Sequence, residues 1–381
     1  SEHGACCGVA TFHPRHMQAA FILGPEHPDA HWQYGPARRR GVLVDAAHPG
    51  TAIALDGRDL TPPFTPGALR GGTHVHVFSA DGLWISFTYE DHILELLYAK
   101  QGRSAANPRN IGVSVAGQPV SVPRTHPRNH DGEYFSVLVT ETTDRPRPGS
   151  DEISRACEEA WIGINGYMRP DGVWQRRALA FQGTVAGATG RSLVEAFVVD
   201  LPDDLTQPGK RPLEGTPEML PVPPRGVVQR RLTYTADRPF PGLRGPRHWL
   251  RSSPDGSQIA LLMPNDCGVV QLWTVAPCGG PPRQVTHDPW DVASAFTWSP
   301  DGRWVAYVAD GSVMAAEATS GRSLRLTPRE PPDRAPRPEA CVFSPDGRRI
   351  AYARTVEMPM GKFNQIFVLD VADALPRGAD P

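Results

Sequence analysis

A four-residue turn repeats towards the end of this chain at a nearly fixed interval. Ser253-Pro254-Asp255-Gly256, Ser299-Pro300-Asp301-Gly302 and Ser344-Pro345-Asp346-Gly347 place their aspartates 46 and 45 residues apart. Each turn is entered from a short alternating run and left through another, as with Ala295-Phe296-Thr297-Trp298 and Trp304-Val305-Ala306-Tyr307-Val308. Side chains in a strand change face at every residue, so each copy reads as a hairpin. Proline presets the turn, the aspartate bonds back to the backbone, and glycine takes the left-handed position. A period of about 40 to 50 residues with several strands in each unit points to small sheets set around an axis.

Further strands fit the same unit. Residues 269–275 and 365–371 read as third strands, and 283–287 and 323–327 as outer ones. Weaker copies stand upstream at Phe78-Ser79-Ala80-Asp81-Gly82, Asn129-His130-Asp131-Gly132, Arg169-Pro170-Asp171-Gly172 and Thr11-Phe12-His13-Pro14-Arg15-His16. The proline-rich stretch 202–225 accounts for the long interval between Asp171 and Asp255 as an inserted loop. Helical periodicity is nearly absent, with one short helix expected over 151–159. The expected fold is therefore an all-β β-propeller of six or seven blades, seven being favoured, in one domain spanning 1–381. Its blades fall at about 1–70, 71–122, 123–226 with insertions, 227–288, 289–330 and 331–381, the first of them incomplete. The alternative is an array of β-sandwiches.

Charge and cysteine content remove several functions. With 39 basic and 41 acidic residues the chain lacks the bulk charge that drives nucleic-acid or membrane-surface binding. No run approaches the length of a membrane span. Cys6, Cys7, Cys157, Cys267, Cys278 and Cys341 form no CxxC pair, which favours a reducing compartment. The chain opens at Ser1 with no visible signal peptide, so a missing natural start is expected, and the location is cytoplasmic or periplasmic. There is no GxSxG elbow, HExxH helix, P-loop or dinucleotide fingerprint.

Register turns the histidines into a pattern. His76 and His126 each stand five residues before a turn aspartate, and His74 and His248 each stand seven before one. Glu339 stands seven before Asp346. His74 and His76 are two residues apart, so a regular strand would aim both at one face. First strands line the axis, so these positions are expected to converge as ligands for a divalent metal such as Mn²⁺, Fe²⁺, Zn²⁺ or Ni²⁺. The alternative is that each bonds to a neighbouring blade. Arg70 and Arg247, beside the ligand strands, would pair with a substrate carboxylate, and His92 or Arg247 would serve as base. A loop carrying His27, His31, Trp32, Tyr34 and Arg38-Arg39-Arg40 suits an anionic or sugar ligand, or is simply solvated. Asp151, Glu152, Glu158 and Glu159 read as an acidic helix face, the alternative being that one of them is a general acid or base. Trp249 would stack on a sugar if exposed.

The blade turns resemble the TolB-type, WD40-like branch of propeller repeats. More specifically, nearly the whole chain resembles the uncharacterised YidR-like family of bacterial propellers. The match is carried by Leu69-Arg70-Gly71-Gly72-Thr73-His74-Val75-His76-Val77-Phe78, Gly149-Ser150-Asp151-Glu152-Ile153, Pro223-Pro224-Arg225-Gly226-Val227-Val228-Gln229-Arg230-Arg231-Leu232-Thr233 and Pro246-Arg247-His248-Trp249. That family brings no function with it. Its members begin with a further blade-like segment. A more distant similarity, to oligogalacturonate lyase, covers the blades and the idea of channel histidines. It implies a Mn²⁺ site and β-elimination on a small acidic saccharide, with His74, His76, His126 and His248 as the metal's candidates. The alternative from another class is a non-catalytic propeller that binds a protein or saccharide, as TolB-like propellers do.

Overall fold

The protein is described by a computed structural model that covers residues 6–102 and 108–375. The repeated turn is built as its residues require. In Ser79–Gly82, Ser253–Gly256, Ser299–Gly302 and Ser344–Gly347 the serine hydroxyl donates to the aspartate two residues on, at 2.5–2.6 Å. The same hydroxyl accepts the backbone N–H that opens the next strand, at 2.9–3.1 Å. Each closing glycine has φ between 68° and 77°, a conformation costly for any side chain.

Around these hairpins stand six sheets in chain order. Blade 1 contains Cys6–Phe12, Gln18–Gly24, Arg40–Asp45 and Ala52–Ala54. Blade 2 contains Gly71–Phe78, Trp84–Asp91, Asn110–Val115 and Phe135–Leu138. Blade 3 contains Ile153–Trp161, Arg177–Ala186, Ser192–Leu201 and Val228–Arg231. Blades 4 and 5 begin at Arg251–Ser252 and Thr297–Trp298, and blade 6 has three strands, Val342–Phe343, Arg349–Met358 and Gly361–Asp370. Every pairing within a blade is antiparallel. The fold is thus an all-β propeller with six blades among the described residues, not the seven favoured from sequence.

Apolar faces of successive blades are pressed together, and that is where the core lies. Phe181, Phe197 and Val199 of blade 3 meet Ile111 and Val113 of blade 2. Leu261 and Met263 of blade 4 meet Ala180 and Val198 of blade 3. Tyr307 and Val305 of blade 5 meet Leu262 and Leu272 of blade 4. Burying each large side chain contributes roughly 1.5–3 kcal/mol, so the blade contacts hold the array together. On blade 6 Phe363, Ile366 and Val368 are instead exposed.

Two local expectations fail. Residues 151–159 form no helix, because Ile153–Trp161 is the first strand of blade 3. It pairs with Arg177–Ala186 and buries Ile153, Ala156 and Ala160, and that pairing overrides the acidic pattern. Among the described residues the α-helix is α1, His92–Lys100, whose first turn is capped by Asp91 accepting the Leu94 N–H at 2.8 Å. The Asn129–Asp131 turn also starts no blade, since Phe135–Leu138 is the outer strand of blade 2.

Candidate functional site

The first strands of blades 1, 2 and 3 share one departure from regular pairing. In each, two residues stand opposite one: Val9 and Ala10 opposite Phe21, Val75 and His76 opposite Phe87, Glu158 and Glu159 opposite Phe181. The first residue of each pair is left-handed, with φ of 51° at Val9, 58° at Val75 and 57° at Glu158. A β-branched residue held there is a true backbone outlier, and bulges of this kind re-aim the side chains beside them. All three residues face a single cavity of about 530 Å³, together with Tyr34, Arg39, His74, Arg109, Arg155 and Arg247.

The bulge also corrects the reading of His74-Val75-His76. Alternation is broken at Val75, so His74 and Val75 both line the cavity while Thr73 and His76 meet on the opposite side. There Thr73 donates to Asp56 at 3.1 Å, and His76 Nε2 lies 3.1 Å from the threonine hydroxyl. The hydroxyl gives its proton to Asp56, so the imidazole donates from Nε2. His76 is fully buried against Gly41, where a Cβ would come within 2.5 Å of Nε2.

Two of the cavity's arginines occupy the same place in successive blades. Arg39 and Arg109 immediately precede or lead into the third strands of blades 1 and 2. The carbonyl of Arg39 accepts from Thr73 N (3.3 Å), and that of Arg109 accepts from Ala156 N (2.8 Å), each donor standing two residues before the next blade's bulge. Arg109 is held by Glu90 at 2.5–2.8 Å, and Arg247 by Glu158 at 2.9 and 3.3 Å. Arg39 lies over the Tyr34 ring, 4.9 Å from its centre. Among the described residues neither Arg39 nor Arg155 is paired with a carboxylate. Burial, and then the charges of Arg109 and Arg39, push the His74 imidazole down to about 2, so it is neutral at ordinary pH.

The other expected site residues lie elsewhere. His248 is buried with both ring nitrogens engaged: Nδ1 meets Pro246 O at 2.8 Å, and Nε2 accepts Leu262 N at 3.2 Å. His126 is on the loop after blade 2's third strand, where its Nδ1 accepts Arg128 N at 3.1 Å. His92 opens α1, with Nδ1 3.2 Å from Glu95 and its ring edge-on to Trp32 at 5.1 Å. Arg70 is buried against Asp91 (2.7 Å), and it donates to Thr216 O and, at 2.7 Å, to Met219 O. It ties the proline-rich loop to blade 2 instead of serving the cavity. Glu339 pairs with Arg337 on the exposed part of blade 6. Trp249 is half-buried under Arg247, 4.8 Å from ring centre to guanidinium.

The four histidines therefore do not fit a manganese or other metal centre. Two are committed to backbone or hydroxyl partners inside blades, and a third is on a separate loop. Among the described residues no group of three or more His, Cys, Asp or Glu side chains is placed to hold a metal. The alternative, a bond from each imidazole to a neighbouring blade, does not describe His76 or His248 either: His76 meets Thr73 of its own strand, and His248 meets Pro246 and Leu262 of its own blade.

Residues 6–130 match a family described as protein of unknown function, DUF3748. A chain of Escherichia coli (strain K12), the uncharacterized protein YidR, is 46% identical over 356 residues, which is 92% of this chain and 80% of the relative. The chain belongs to the YidR family. Solved structures resemble this YidR-family propeller only distantly. TolB from Acinetobacter baumannii is 14% identical with a TM-score of 0.37, over 88% of this chain, which spans 61% of that protein. Oligogalacturonate lyase in complex with manganese is 11% identical with a TM-score of 0.48, over 93% of this chain and 74% of that one. Such values carry no argument about this family's chemistry. No described helix is long and apolar enough to cross a membrane.

Some of the site was present in the sequence and read otherwise. Tyr34 and Arg39 belong to the loop suited to an anion or sugar, and Arg247 was a carboxylate candidate. Arg109, Arg155 and the bulges were missed. Their signal is the phenylalanine in the second strand of blades 1, 2 and 3, Phe21, Phe87 and Phe181, facing an aromatic-ended first strand (Phe12, Phe78, Trp161).

Behind the cavity Glu159 is wholly buried and accepts from Thr88 Oγ1 at 3.0 Å. Burial pushes its carboxyl up to about 8. It is protonated in the fold at neutral pH and ionised in the unfolded chain. Its contribution to stability is therefore full at low pH and lost as pH rises towards about 8. Glu159→Gln is expected to flatten that loss and raise Tm at about pH 8 by several degrees. A Tm that falls with pH equally in both proteins over this range would refute the assignment.

Proposed function

We propose that this propeller binds a small acidic saccharide in the cavity between the first strands of blades 1, 2 and 3. The observation that carries this reading is the convergence of Arg39, Arg109, Arg155 and Arg247 on one cavity with only Glu90 and Glu158 paired to them. A guanidinium fork matches a carboxylate in geometry and in charge, and Tyr34 adds a half-exposed aromatic face for a sugar ring. A cavity of about 530 Å³ suits a ligand of a few rings or fewer.

Binding is favoured over elimination because neither expected base stands free in the cavity: His92 lies against Glu95 and is not among the wall residues, and Arg247 is paired with Glu158. Recognition is assigned to arginines and not to a metal, because the candidate ligands do not come together.

Calorimetric titration with galacturonate oligomers tests the reading. Saturable binding is expected, with neutral glucose oligomers giving none. Arg109→Ala should weaken it at least tenfold, the loss expected when a charge-assisted pair worth about 1.5–3 kcal/mol is removed. Equal binding of neutral and acidic oligomers, or an unchanged affinity in Arg109→Ala, would sink it.

A further inference from the structure

We infer that the cavity is built for a ligand carrying two negative charges, an inference that rests on the binding reading above and narrows it. Four guanidinium groups reach the cavity, and two already have a carboxylate. Arg109 meets Glu90 with Nε and one terminal nitrogen on the same oxygen, at 2.8 and 2.5 Å. Arg247 meets both oxygens of Glu158 at 2.9 and 3.3 Å. These pairs are charge-neutral, and they hold their arginines in place.

Arg39 and Arg155 are the remainder. Neither has a carboxylate partner among the described residues, and His74 between the arginines is neutral. Arg39 has a buried Nε without a hydrogen-bond partner, and its plane lies on Tyr34. The two come from different directions, Arg39 before the third strand of blade 1 and Arg155 from the first strand of blade 3. The cavity wall therefore carries two positive charges without a carboxylate partner among the described residues, on two different blades. A monoanion can pair with only one of them and forgoes the second charge-assisted pair. A ligand with two acidic groups, or one doubly ionised phosphate, matches both.

Full-length protein is titrated at fixed ionic strength with glucose, galacturonate, digalacturonate and glucose 6-phosphate. At least one dianion is expected to bind ten or more times as tightly as galacturonate, and glucose not at all. Digalacturonate ahead of the phosphate identifies two separated carboxylates as the target, and the reverse order identifies a phosphate. Arg39→Gln and Arg155→Gln should each bring the dianion's affinity to within about threefold of galacturonate's affinity for the same variant, and a tenfold preference that survives in both would overturn the charge count. Thermal unfolding of both variants checks that the propeller is intact. Equal affinities for galacturonate and both dianions would overturn the charge count while leaving the acidic-saccharide reading intact. Tight binding of glucose 6-phosphate with no binding of either uronate would support the charge count and exclude a uronate as the ligand. No binding of any anion defeats both.

Discussion

Lowering the pH from about 6.5 to about 5 should remove most of the protein's stability. Burial pushes four imidazoles far below the ordinary 6.5: His74 to about 2, His76 and His130 to about 3, and His248 to about 4. At His74 the charges of Arg109 and Arg39 add to burial, and at His130 that of Arg58 does. In the folded protein all four stay neutral down to these values, whereas in the unfolded chain each takes a proton near 6.5. The unfolded state thus binds more protons as pH falls, and stability present above 6.5 is lost below it. Each group costs up to about 1.4 kcal/mol per pH unit, so four approach ~8 kcal/mol at pH 5. That is comparable to the whole stability of a typical domain. Glu159 acts in the opposite direction and offsets about one imidazole's effect, leaving the equivalent of about three. Urea midpoints measured between pH 7 and pH 5 are the direct check, with His248→Gln expected to reduce the slope by about one proton. A midpoint that does not move over this range would show that the imidazoles are not held neutral.

The second large effect is expected at the buried pair of Arg70 and Asp91. Asp91 accepts from Arg70 at 2.7 Å, from the Tyr89 hydroxyl at 2.9 Å and from the first turn of α1. Both partners are almost wholly enclosed. Removing one partner of a buried pair leaves the other charge without compensation, at a cost of about 3–5 kcal/mol. Arg70→Met should therefore lower stability by that amount. It should also release the proline-rich loop, since Arg70 alone in the pair reaches the carbonyls of Thr216 and Met219. Limited proteolysis within 202–225 measures the release. A destabilised variant whose loop is cut no faster than the parent's would show that the loop is fastened by other contacts.

The scaffold was more legible in the sequence than the site, for a physical reason. Blades 4, 5 and 6 announce themselves because one turn chemistry, serine to aspartate with a left-handed glycine, recurs in all of them and lies within a few residues. Their first strands are only two residues long and carry no bulge. The cavity is walled mainly by blades 1, 2 and 3, whose turns are the degraded copies. Counting from the turn aspartate assumed regular alternation, and a single extra residue at Val75 separates His74 from His76. No spacing rule within one strand reports that shift, because a bulge is fixed by pairing with the neighbour. Arg39 and Arg109 were hidden for a related reason. Their equivalence lies in the third strands, where the sequence repeat is weakest. The count of blades failed because the Asn129–Asp131 turn imitates a blade start, whereas the strand after it, Phe135–Leu138, is the outer strand of blade 2.

Each bulge gives the cavity one more wall residue than a plain strand would. Val9, Val75 and Glu158 are therefore single-residue insertions in function as well as in geometry. Deleting any one would return its strand to two-residue alternation while leaving the partners on either side in register. The cavity would widen or lose a charge in one step, without repacking the apolar faces between blades. The smallest step that alters the lining of this cavity is thus a one-residue gain or loss at these three points, a kind of change that substitution of one side chain for another does not make.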